Sequence, residues 1–447
     1  MNKGLSHPTR IVPAAFLAPI AVGTVILMLP IATTSGQSAG LLTALFTATS
    51  AICVTGLVTV DTPTFWSPFG QVAILVMIKV GGLGIMTAAT LLGLVAGRRL
   101  SLSDRAIALT EHGHFNRAEA ISLVKLVFVA SIAIEALVAL ALWLRWWLGY
   151  GMGVGEAAWH GLFHSISAFN NAGFSTFSSN LIGWQGDTAI LAPIMAAIVI
   201  GGIGFPVLHE LWVRRDPERR RRPWSLHSRL TLSTTAVLLI AGTLLVLVAE
   251  WTNPRTLGSM TPGTALLNAA FHSVSMRTAG FNAVDIAAFA DPTLSINYVF
   301  MLIGGGSAGT AGGLKVTTFA LLGFVVWSEI RGHTETTMFG RRVGSAVVRQ
   351  ALSIVLIAIG LIGMVTLIID WIEPAIDFRY ILFETISAFA TVGLSAGITA
   401  QLTEPSQLLL VLLMFVGRVG TITFATALAL APRSVHYRYP QEQPIVG

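Results

Sequence analysis

Charged residues are scarce in this 447-residue chain. They make up 11% of it, against roughly 25% in soluble domains, whereas 54% of the residues are hydrophobic and the mean hydropathy is +0.76. A soluble protein of this composition would expose a large apolar surface to water, so the composition excludes an ordinary soluble fold. It indicates an all-α integral membrane protein, because a helix satisfies its own backbone hydrogen bonds in lipid.

Cysteine is nearly absent, and no catalytic cluster replaces it. Cys53 is the only cysteine, which excludes an intrachain disulfide and matches no metal-ligand spacing. GGGSAG at 304–309 and GLSAG at 393–397 match dinucleotide-binding and nucleophile-elbow patterns. The strand–turn–helix context that those sites require is missing. We therefore predict that the chain is not an enzyme and binds no cofactor.

The basic residues are placed as in a membrane protein. The net charge is +6, and 20 of the 27 lysines and arginines fall in the N-terminal segment, in the loops after the second predicted helix of each repeat or in the C-terminal tail. Such residues concentrate on the cytoplasmic side of membranes. We therefore predict that both termini are cytoplasmic and that the chain contacts a lipid bilayer, not nucleic acid.

Eight apolar runs approach or exceed the roughly 20 residues needed to cross a bilayer. The first could be mistaken for a signal peptide, but no A-x-A site follows it, and we interpret it as a retained helix. The runs lie near 11–32, 70–96, 119–148, 188–213, 230–250, 296–327, 346–370 and 406–431.

A shorter apolar stretch lies between the two runs of each pair, and its length is typical of a re-entrant helix. Each stretch leads to a glycine, and these glycines recur at intervals of 117, 107 and 113 residues. The pattern predicts four helix–re-entrant loop–helix repeats around one pore with pseudo-fourfold symmetry. The short stretches are 40–50, 156–168, 263–275 and 378–389, and the four glycines are Gly56, Gly173, Gly280 and Gly393.

The sequence divides accordingly into four repeats and a tail. We assign repeat 1 to 1–115, repeat 2 to 116–227, repeat 3 to 228–343 and repeat 4 to 344–431, followed by a cytoplasmic tail at 432–447.

Each of the four glycines ends a three-residue segment that we call a glycine triplet. Non-helical backbone at membrane depth is tolerated only where protein or a water-filled cavity surrounds it. Its free carbonyl groups can replace the water shell of a cation, as in potassium channels. The triplets are therefore a candidate selectivity filter, the alternative being packing glycines in helix hairpins. They comprise Val54, Thr55 and Gly56; Asn171, Ala172 and Gly173; Thr278, Ala279 and Gly280; and Thr391, Val392 and Gly393.

Acidic residues are common on the predicted outer side, which holds 11 of the 21. They would attract cations modestly, or they serve only to hydrate the loops. They include Asp61, Asp187, Asp285, Asp291, Asp370 and Glu404.

The triplets and their surroundings resemble a known family. VTGL at 54–57, AFNNAGFS at 168–175, RTAGFN at 277–282 and SAFATVGLS at 387–395 resemble the filter segments of the Trk/Ktr/HKT superfamily of potassium and sodium transporters. GGGSAGTAGGLKVTT at 304–318 is similar to its glycine-rich break, and GRVGTITFA at 417–425 to its arginine-bearing helix. The tail YRYPQEQPIVG resembles the C-terminus of the bacterial Ktr membrane subunit. The break departs from the family at Ala308, where proline is common.

The resemblance implies a potassium pore subunit of a bacterial plasma (inner) membrane. It implies a homodimer on a cytoplasmic RCK-type ring of regulatory subunits, with a nucleotide, ATP/ADP or NAD(H), bound to the ring. K⁺ would be the only metal, held at the filter. The alternatives are sodium-permeable or sodium-coupled transport within the superfamily and, from another class, a secondary carrier of a small solute. A carrier would distribute polar residues along the midplane, whereas here they concentrate near the triplets.

Four basic residues, Lys79, Arg277, Lys315 and Arg418, lie within segments predicted at membrane depth, where each needs a partner or a cavity. The resemblance implies that Arg418 lies below the filter and contributes to a gate, the alternative being an ion pair between helices. We expect Arg277 to support the filter opposite Glu384, Lys315 to anchor the glycine-rich break, and Lys79 to extend toward polar surroundings.

The glycine-rich segment 304–313 holds six glycines in ten positions. Glycine costs roughly 0.8–1.0 kcal/mol relative to alanine in a helix, so we predict a loop beneath the filter. The candidate gate comprises Gly304, Gly305, Gly306, Gly309, Gly312, Gly313, Lys315 and Arg418.

Overall fold

The computed structural model of the protein describes residues 8–97, 117–215, 223–333 and 335–420. The predicted tail at 432–447, the arginine run at 219–222 and most of the basic loop between the second and third apolar runs lie outside the described residues.

The described chain is mostly helical. Long apolar stretches favour helices because every backbone donor and acceptor inside them is satisfied within the element. The helices are α1 (Pro8–Leu27), α2 (Leu41–Ile52), α3 (Thr62–Phe65), α4 (Pro68–Gly97), α5 (Arg117–Leu144), α6 (Val154–Phe169), α7 (Thr188–Ile203), α8 (Phe205–Val213), α9 (Leu226–Glu250), α10 (Pro262–Ser275), α11 (Asp291–Leu302), α12 (Val316–Ile330), α13 (Ser345–Ile372), α14 (Phe378–Ala390) and α15 (Glu404–Phe415).

Short elements connect these helices. Thr337 pairs with Arg342 in an antiparallel hairpin of strands β1 (Thr337–Met338) and β2 (Arg341–Arg342). Five 3₁₀ turns and two π turns complete the described elements. The 3₁₀ turns are Pro30–Ala32, Ile182–Trp184, Leu257–Ser259, Ile286–Ala288 and Thr399–Gln401, and the π turns are Arg145–Gly149 and Val416–Gly420.

Three described helices are long and apolar enough to cross a membrane, namely Lys125–Gly149, Leu226–Glu250 and Ser345–Ile372, and a fourth if α7 and α8 form one bent span. Large apolar side chains on these helices face outward, as with Val248, 77% exposed, and Trp371, 84% exposed. Such exposure suits contact with lipid.

The apolar run at 188–213 forms two helices and not one continuous helix. Helix α7 ends at Ile203, and α8 starts at Phe205 with its axis bent by 97°. The break is at Gly204, whose φ of +99° lies in the region that favours glycine. Pro206 follows in the first turn of α8, where its missing N–H does no harm.

The run at 296–327 is also interrupted. Helix α11 ends at Leu302 and α12 begins at Val316, leaving a loop where the glycine content predicts one. The loop closes at its base, because Gly304 N donates to Leu314 O at 2.8 Å and Leu314 N donates to Leu302 O at 3.0 Å. We call residues 303–315 the glycine-rich loop.

The short helices α2, α6, α10 and α14 lie in the protein interior. Each carries one fully buried phenylalanine four residues before a buried serine, which places the same aromatic side chain at the same helical position. These phenylalanines are Phe46, Phe163, Phe271 and Phe383, each at most 1% exposed. The core therefore forms around the four elements that deliver the glycine triplets.

Candidate functional site

Each glycine triplet begins with a residue in the left-handed region. The φ angles are +56° at Val54, +58° at Asn171, +72° at Thr278 and +50° at Thr391. Three of these residues are β-branched, for which this conformation is a genuine outlier. Strain of this kind, of about 1–3 kcal/mol per residue, persists only where the surroundings enforce it, and it concentrates at ligand sites.

The glycines that end the triplets meet in a closed ring. A Cβ atom on Gly173 would lie 2.9 Å from Ala279 O, and one on Gly280 would lie 2.6 Å from Val392 O. A Cβ atom on Gly56 would collide with Ala172 O, and a Cβ atom on Gly393 would collide with Thr55 O. Each triplet thus contacts the next, and the fourth returns to the first. Any side chain here would push two segments apart.

Buried serines at the ends of the short helices stabilise the triplets. Ser50 Oγ accepts a hydrogen bond from Gly56 N at 3.0 Å, and Ser387 Oγ accepts from Gly393 N at 3.1 Å. Ser167 Oγ donates to Phe174 O at 2.8 Å. Ser275 makes the corresponding bond to Phe281 O in the third copy. The ring is therefore held by bonds that span only a few residues of chain.

One open cavity of about 400 Å³ is bordered by all four triplet glycines. Asp61 lines it and accepts a hydrogen bond from Ser178 at 2.7 Å. Asp187 pairs instead with Arg145 at 2.7 Å, and Asp291 with Arg379 at 2.6 Å. Of the six acids singled out in the sequence, Asp61 is the one that borders this cavity.

Asp187 shows why the other acids are less available to a cation. Partial burial raises the pKa of its carboxyl, but hydrogen bonds from Arg145, Tyr150 and the Ala189 backbone outweigh this and hold the pKa below its usual value. Asp187 also caps the N-terminus of α7. Its charge is thus neutralised locally, and its carboxylate stabilises the start of α7.

The glycine-rich loop contacts the first residues of the triplets. Gly312 N donates to Thr278 Oγ1 at 3.3 Å, and the Thr310 hydroxyl lies 3.3 Å from the side-chain amide of Asn171. A Cβ on Gly312 would collide with Thr391 Oγ1. The loop therefore covers the face of the ring opposite the triplet glycines.

The bend between α7 and α8 holds the same loop through backbone hydrogen bonds. Gly306 N donates to Gly202 O at 2.8 Å, and Thr310 N donates to Gly201 O at 3.1 Å. Phe205 N in turn donates to Ala308 O at 3.2 Å. The missed break at Gly204 thus has a structural role, since it brings the backbone of α7 and α8 to the loop.

Three basic side chains, the buried Arg277 and Arg418 and the half-buried Lys315, donate to carbonyl groups of the loop. Arg418 Nη2 reaches Thr310 O at 2.5 Å, and its Nη1 lies 3.5 Å from Thr391 Oγ1. Lys315 Nζ donates to Ala311 O, within the same loop, at 2.7 Å. Such charge-assisted bonds are stronger than bonds between neutral groups.

The expected pairing of Arg277 with Glu384 is wrong. Arg277 Nη2 donates to Gly304 O at 2.9 Å, at the start of the loop. Glu384 accepts from Ser395 and, at 3.1 Å, from Thr399, which follow the fourth triplet. Arg277 therefore joins the third short helix to the loop, and Glu384 stabilises the chain after its own triplet.

Lys79 forms an ion pair that we did not predict. Its ammonium lies 2.5 Å from Glu135 and donates to Ser131 at 3.0 Å. Glu135 also accepts from Asn170 at 3.0 Å, the residue just before the second triplet. The signal was present in the sequence, because opposite charges in two neighbouring apolar runs seldom remain unpaired in a membrane.

Two histidines at matching places pack and hydrogen-bond. His164 Nε2 lies 3.0 Å from Ser175 Oγ, and His272 Nε2 lies 2.8 Å from Asn297 Oδ1. Within the ranges that the structure describes, no group of three or more histidines, cysteines or acids could hold a metal ion.

Comparison with known proteins assigns the family. A family model described as TrkH, cation transport protein, matches residues 2–437. The chain belongs to the TrkH family. Members of this family are named as transport proteins, not enzymes, and the apolar helices agree with a membrane transporter.

Two curated TrkH-family relatives match along nearly their whole length. The Ktr system potassium uptake protein B of Vibrio alginolyticus is 38% identical, covering 100% of this chain and 96% of the relative. The protein of the same name from Bacillus subtilis is 39% identical, covering 98% and 97%.

A third relative has a broader name. The potassium/sodium uptake protein NtpJ of Enterococcus hirae is 34% identical over 100% of this chain and 98% of its own length.

A solved structure in the TrkH family has the same fold. The potassium transporter TrkH from Vibrio parahaemolyticus superimposes with a TM-score of 0.74 over 94% of this chain and 85% of that chain, at 18% identity.

Proposed function

We propose that this chain is the pore subunit of a potassium uptake system in the inner membrane of a bacterium. The four predicted repeats would surround one pore with pseudo-fourfold symmetry, and K⁺ would pass through the ring of glycine triplets. Inward movement of one charge gains about 2.3 kcal/mol per 100 mV of membrane potential. The relatives named as Ktr potassium uptake proteins support the choice of ion.

One observation carries this proposal. The same strained conformation occurs at the first residue of all four triplets, and the glycines that follow close into a ring. Helix packing alone would not require a β-branched residue at positive φ in three of four copies. A filter does require the backbone to turn so that carbonyl oxygens take the place of water around a cation.

Selectivity for K⁺ over Na⁺ is the finer part of the proposal. Superfamily members with serine at the first filter glycine tend to favour sodium, whereas this chain has glycine at all four positions. Sodium permeation or sodium coupling is the second candidate, because the Enterococcus relative is named for both ions.

The glycine-rich loop would be the gate. It covers the ring beside Thr278 and Thr391, and Arg418 places a fixed positive charge next to it. A positive charge opposes a cation electrostatically, and a loop in this place opposes it sterically. Opening would require the loop to leave the ring.

Regulation would come from other subunits. The described residues form no separate soluble domain, so sensing of a nucleotide such as ATP/ADP or NAD(H) would fall to an RCK-type ring on the cytoplasmic side. The relatives are named as parts of a Ktr system, which supports a further component. We further propose that the pore subunit is a homodimer with cytoplasmic termini.

Cation flux by the purified protein in liposomes tests the pore, with K⁺, Rb⁺, Na⁺ and Li⁺ compared. We expect K⁺ and Rb⁺ to pass faster than Na⁺ and Li⁺. Absence of cation flux from folded, reconstituted protein, with and without its native partners, would contradict the proposed pore.

Purification from the native membrane in gentle detergent tests the partner. We expect a nucleotide-binding subunit to copurify and the flux to respond to nucleotide. Recovery of the pore alone at native expression, with flux that ignores nucleotide, would contradict this part.

A further inference from the structure

A second cavity, of about 510 Å³, lies on the loop side of the molecule, away from the triplet glycines. Helices α9, α12 and α13 form its walls, and the β-hairpin contributes Met338. Leu314 and Lys315 of the glycine-rich loop also line it. A ligand in this cavity would therefore touch the loop directly.

The cavity walls are mostly apolar. Leu226 and Leu230 come from α9, Leu321 from α12, and Ala351 and Ile354 from α13. Cavities of about 300–1,000 Å³ with apolar walls and a few polar groups are typical of small-molecule sites. This one is large enough for part of an amphiphilic molecule.

The basic side chain of Lys315 and the imidazole of His227 lie among the polar lining groups, which also include Ser307, Thr317, Thr318 and Gln350. Lys315 donates one hydrogen bond, to Ala311 O, and it pairs with no carboxylate in the part of the chain that the structure describes. An ammonium group has three donors. The buried Nε2 of His227 has no hydrogen-bond partner. Both groups suit an acidic ligand.

The cavity reaches the protein surface beside the spanning helix α13. Val347, in the first turns of the spanning helix α13, lines its rim and is 50% exposed. Val347 and Leu226 lie near the starts of α13 and α9, at the end of the protein predicted to be cytoplasmic. Anionic lipids of that leaflet are attracted to basic side chains near the membrane surface.

We propose that this cavity binds an anionic phospholipid, with the acidic head group on Lys315 and His227 and an acyl chain against the walls from α9, α12 and α13. The ligand would hold the loop in the position described, because a molecule that binds one conformation shifts the population toward it. On the proposed function, in which this loop closes the pore, the bound lipid lowers cation flux.

The direct test is labelling of the full-length protein with a photoactivatable phosphatidylglycerol in phosphatidylcholine liposomes. We expect crosslinks in peptides of α12 and α13. Ala351→Trp, which fills the cavity at a residue 5% exposed, should reduce that labelling about tenfold, because the indole occupies the space of the acyl chain and weakens its binding. The matched control is Ile359→Trp, on the exposed face of the same helix, which should label like the wild type.

The second arm measures K⁺ flux as the phosphatidylglycerol fraction is raised. Wild-type flux should fall, whereas Ala351→Trp should respond little. If Ala351→Trp is not recovered as a monodisperse protein, Ala351→Leu replaces it and should show a smaller shift in both arms.

Three outcomes would overturn the proposal: equal labelling of wild type and the filled-cavity variant, equal labelling by a phosphatidylcholine probe, or displacement of the lipid probe by a regulatory protein that then proves to occupy the cavity. The proposed pore function is judged separately, by flux in phosphatidylcholine alone.

Discussion

The ring of glycine triplets and the glycine-rich loop use the same residue type but are held differently. The ring is stabilised by bonds within each copy, such as Ser50 to Gly56 and Ser387 to Gly393, six residues apart. The loop also has local bonds, such as Gly304 N to Leu314 O, but bonds to distant parts of the chain hold it against the rest of the protein. Arg418 and Thr310 are 108 residues apart in sequence, and Thr310 and Phe169 are 141 apart.

On the proposed function, this difference would separate a fixed element from a movable one. Local bonds within the ring survive when neighbouring helices shift, because both partners move together. The bonds of the loop depend on the relative positions of α7, α10 and the turn at Val416–Gly420. On the proposed gating, a small displacement of those elements would release the loop while the ring stays intact.

The largest effect is expected from Gly56→Ser, which changes the ring itself. Gly56 has a φ of +97°, and a Cβ there collides with Ala172 O. Strain of about 1–3 kcal/mol changes an equilibrium constant roughly tenfold or more. We therefore expect the K⁺/Na⁺ permeability ratio to fall by about that factor. Ion flux in liposomes measures it.

Gly36→Ser is the matched control, because Gly36 also has a positive φ, of +69°, but has open space where the Cβ would lie. Its selectivity should remain that of the wild type. An unchanged ratio in well-folded Gly56→Ser protein would remove Gly56 from the filter.

The next effect is expected from shortening the loop. Deleting residues 308–311 removes the backbone bonds to Gly201 and Phe205 and the carbonyl that Arg418 contacts. Backbone bonds contribute about 0.5–1.5 kcal/mol each, so we expect K⁺ flux to rise by about tenfold with less dependence on the regulatory subunits. Selectivity should be kept, since the ring is unchanged. A parallel fall in folded yield and flux would instead indicate that the glycines serve close helix packing.

Arg418→Ala should act in the same direction with a smaller effect. It removes the charge and the bonds to Thr310 O and Thr391 Oγ1, but the loop remains in place. Arg418→Lys keeps the charge without the planar guanidinium, and its flux should lie between wild type and Arg418→Ala. The idea of an electrostatic barrier fails if Arg418→Lys and Arg418→Ala raise flux equally.

The short helices were the most predictable part of the site. The stretch 378–389 corresponds to α14 at Phe378–Ala390, and 40–50 corresponds to α2 at Leu41–Ile52. Their length and apolar content are properties of the local sequence. The interruption after Leu302 was likewise foreseeable from glycine content.

Other features of the site depend on tertiary packing and could not be predicted from the local sequence. Positive φ at Val54 and Thr391 contradicts the preference of β-branched residues, so no sequence rule would select it. The bend at Gly204 looks in sequence like any other helix glycine, because only the approach of the loop explains it. The predicted partner of Arg277 was wrong because the group that its guanidinium contacts depends on how α10 lies against the loop.

The third triplet shows what a single polypeptide permits. Ser275 stands five residues before Gly280, whereas the other three serines stand six residues before their glycines. Ala279 N accordingly donates to the carbonyl of the residue four positions earlier. In the other three copies, the corresponding N–H donates to the carbonyl five positions earlier, as in Thr55, Ala172 and Val392. An assembly of four identical subunits would have to carry such a deletion in every quarter. Here mutation can alter one quarter of the ring alone, so on the proposed function natural variation and engineering would adjust the coordination positions of the ion path one by one.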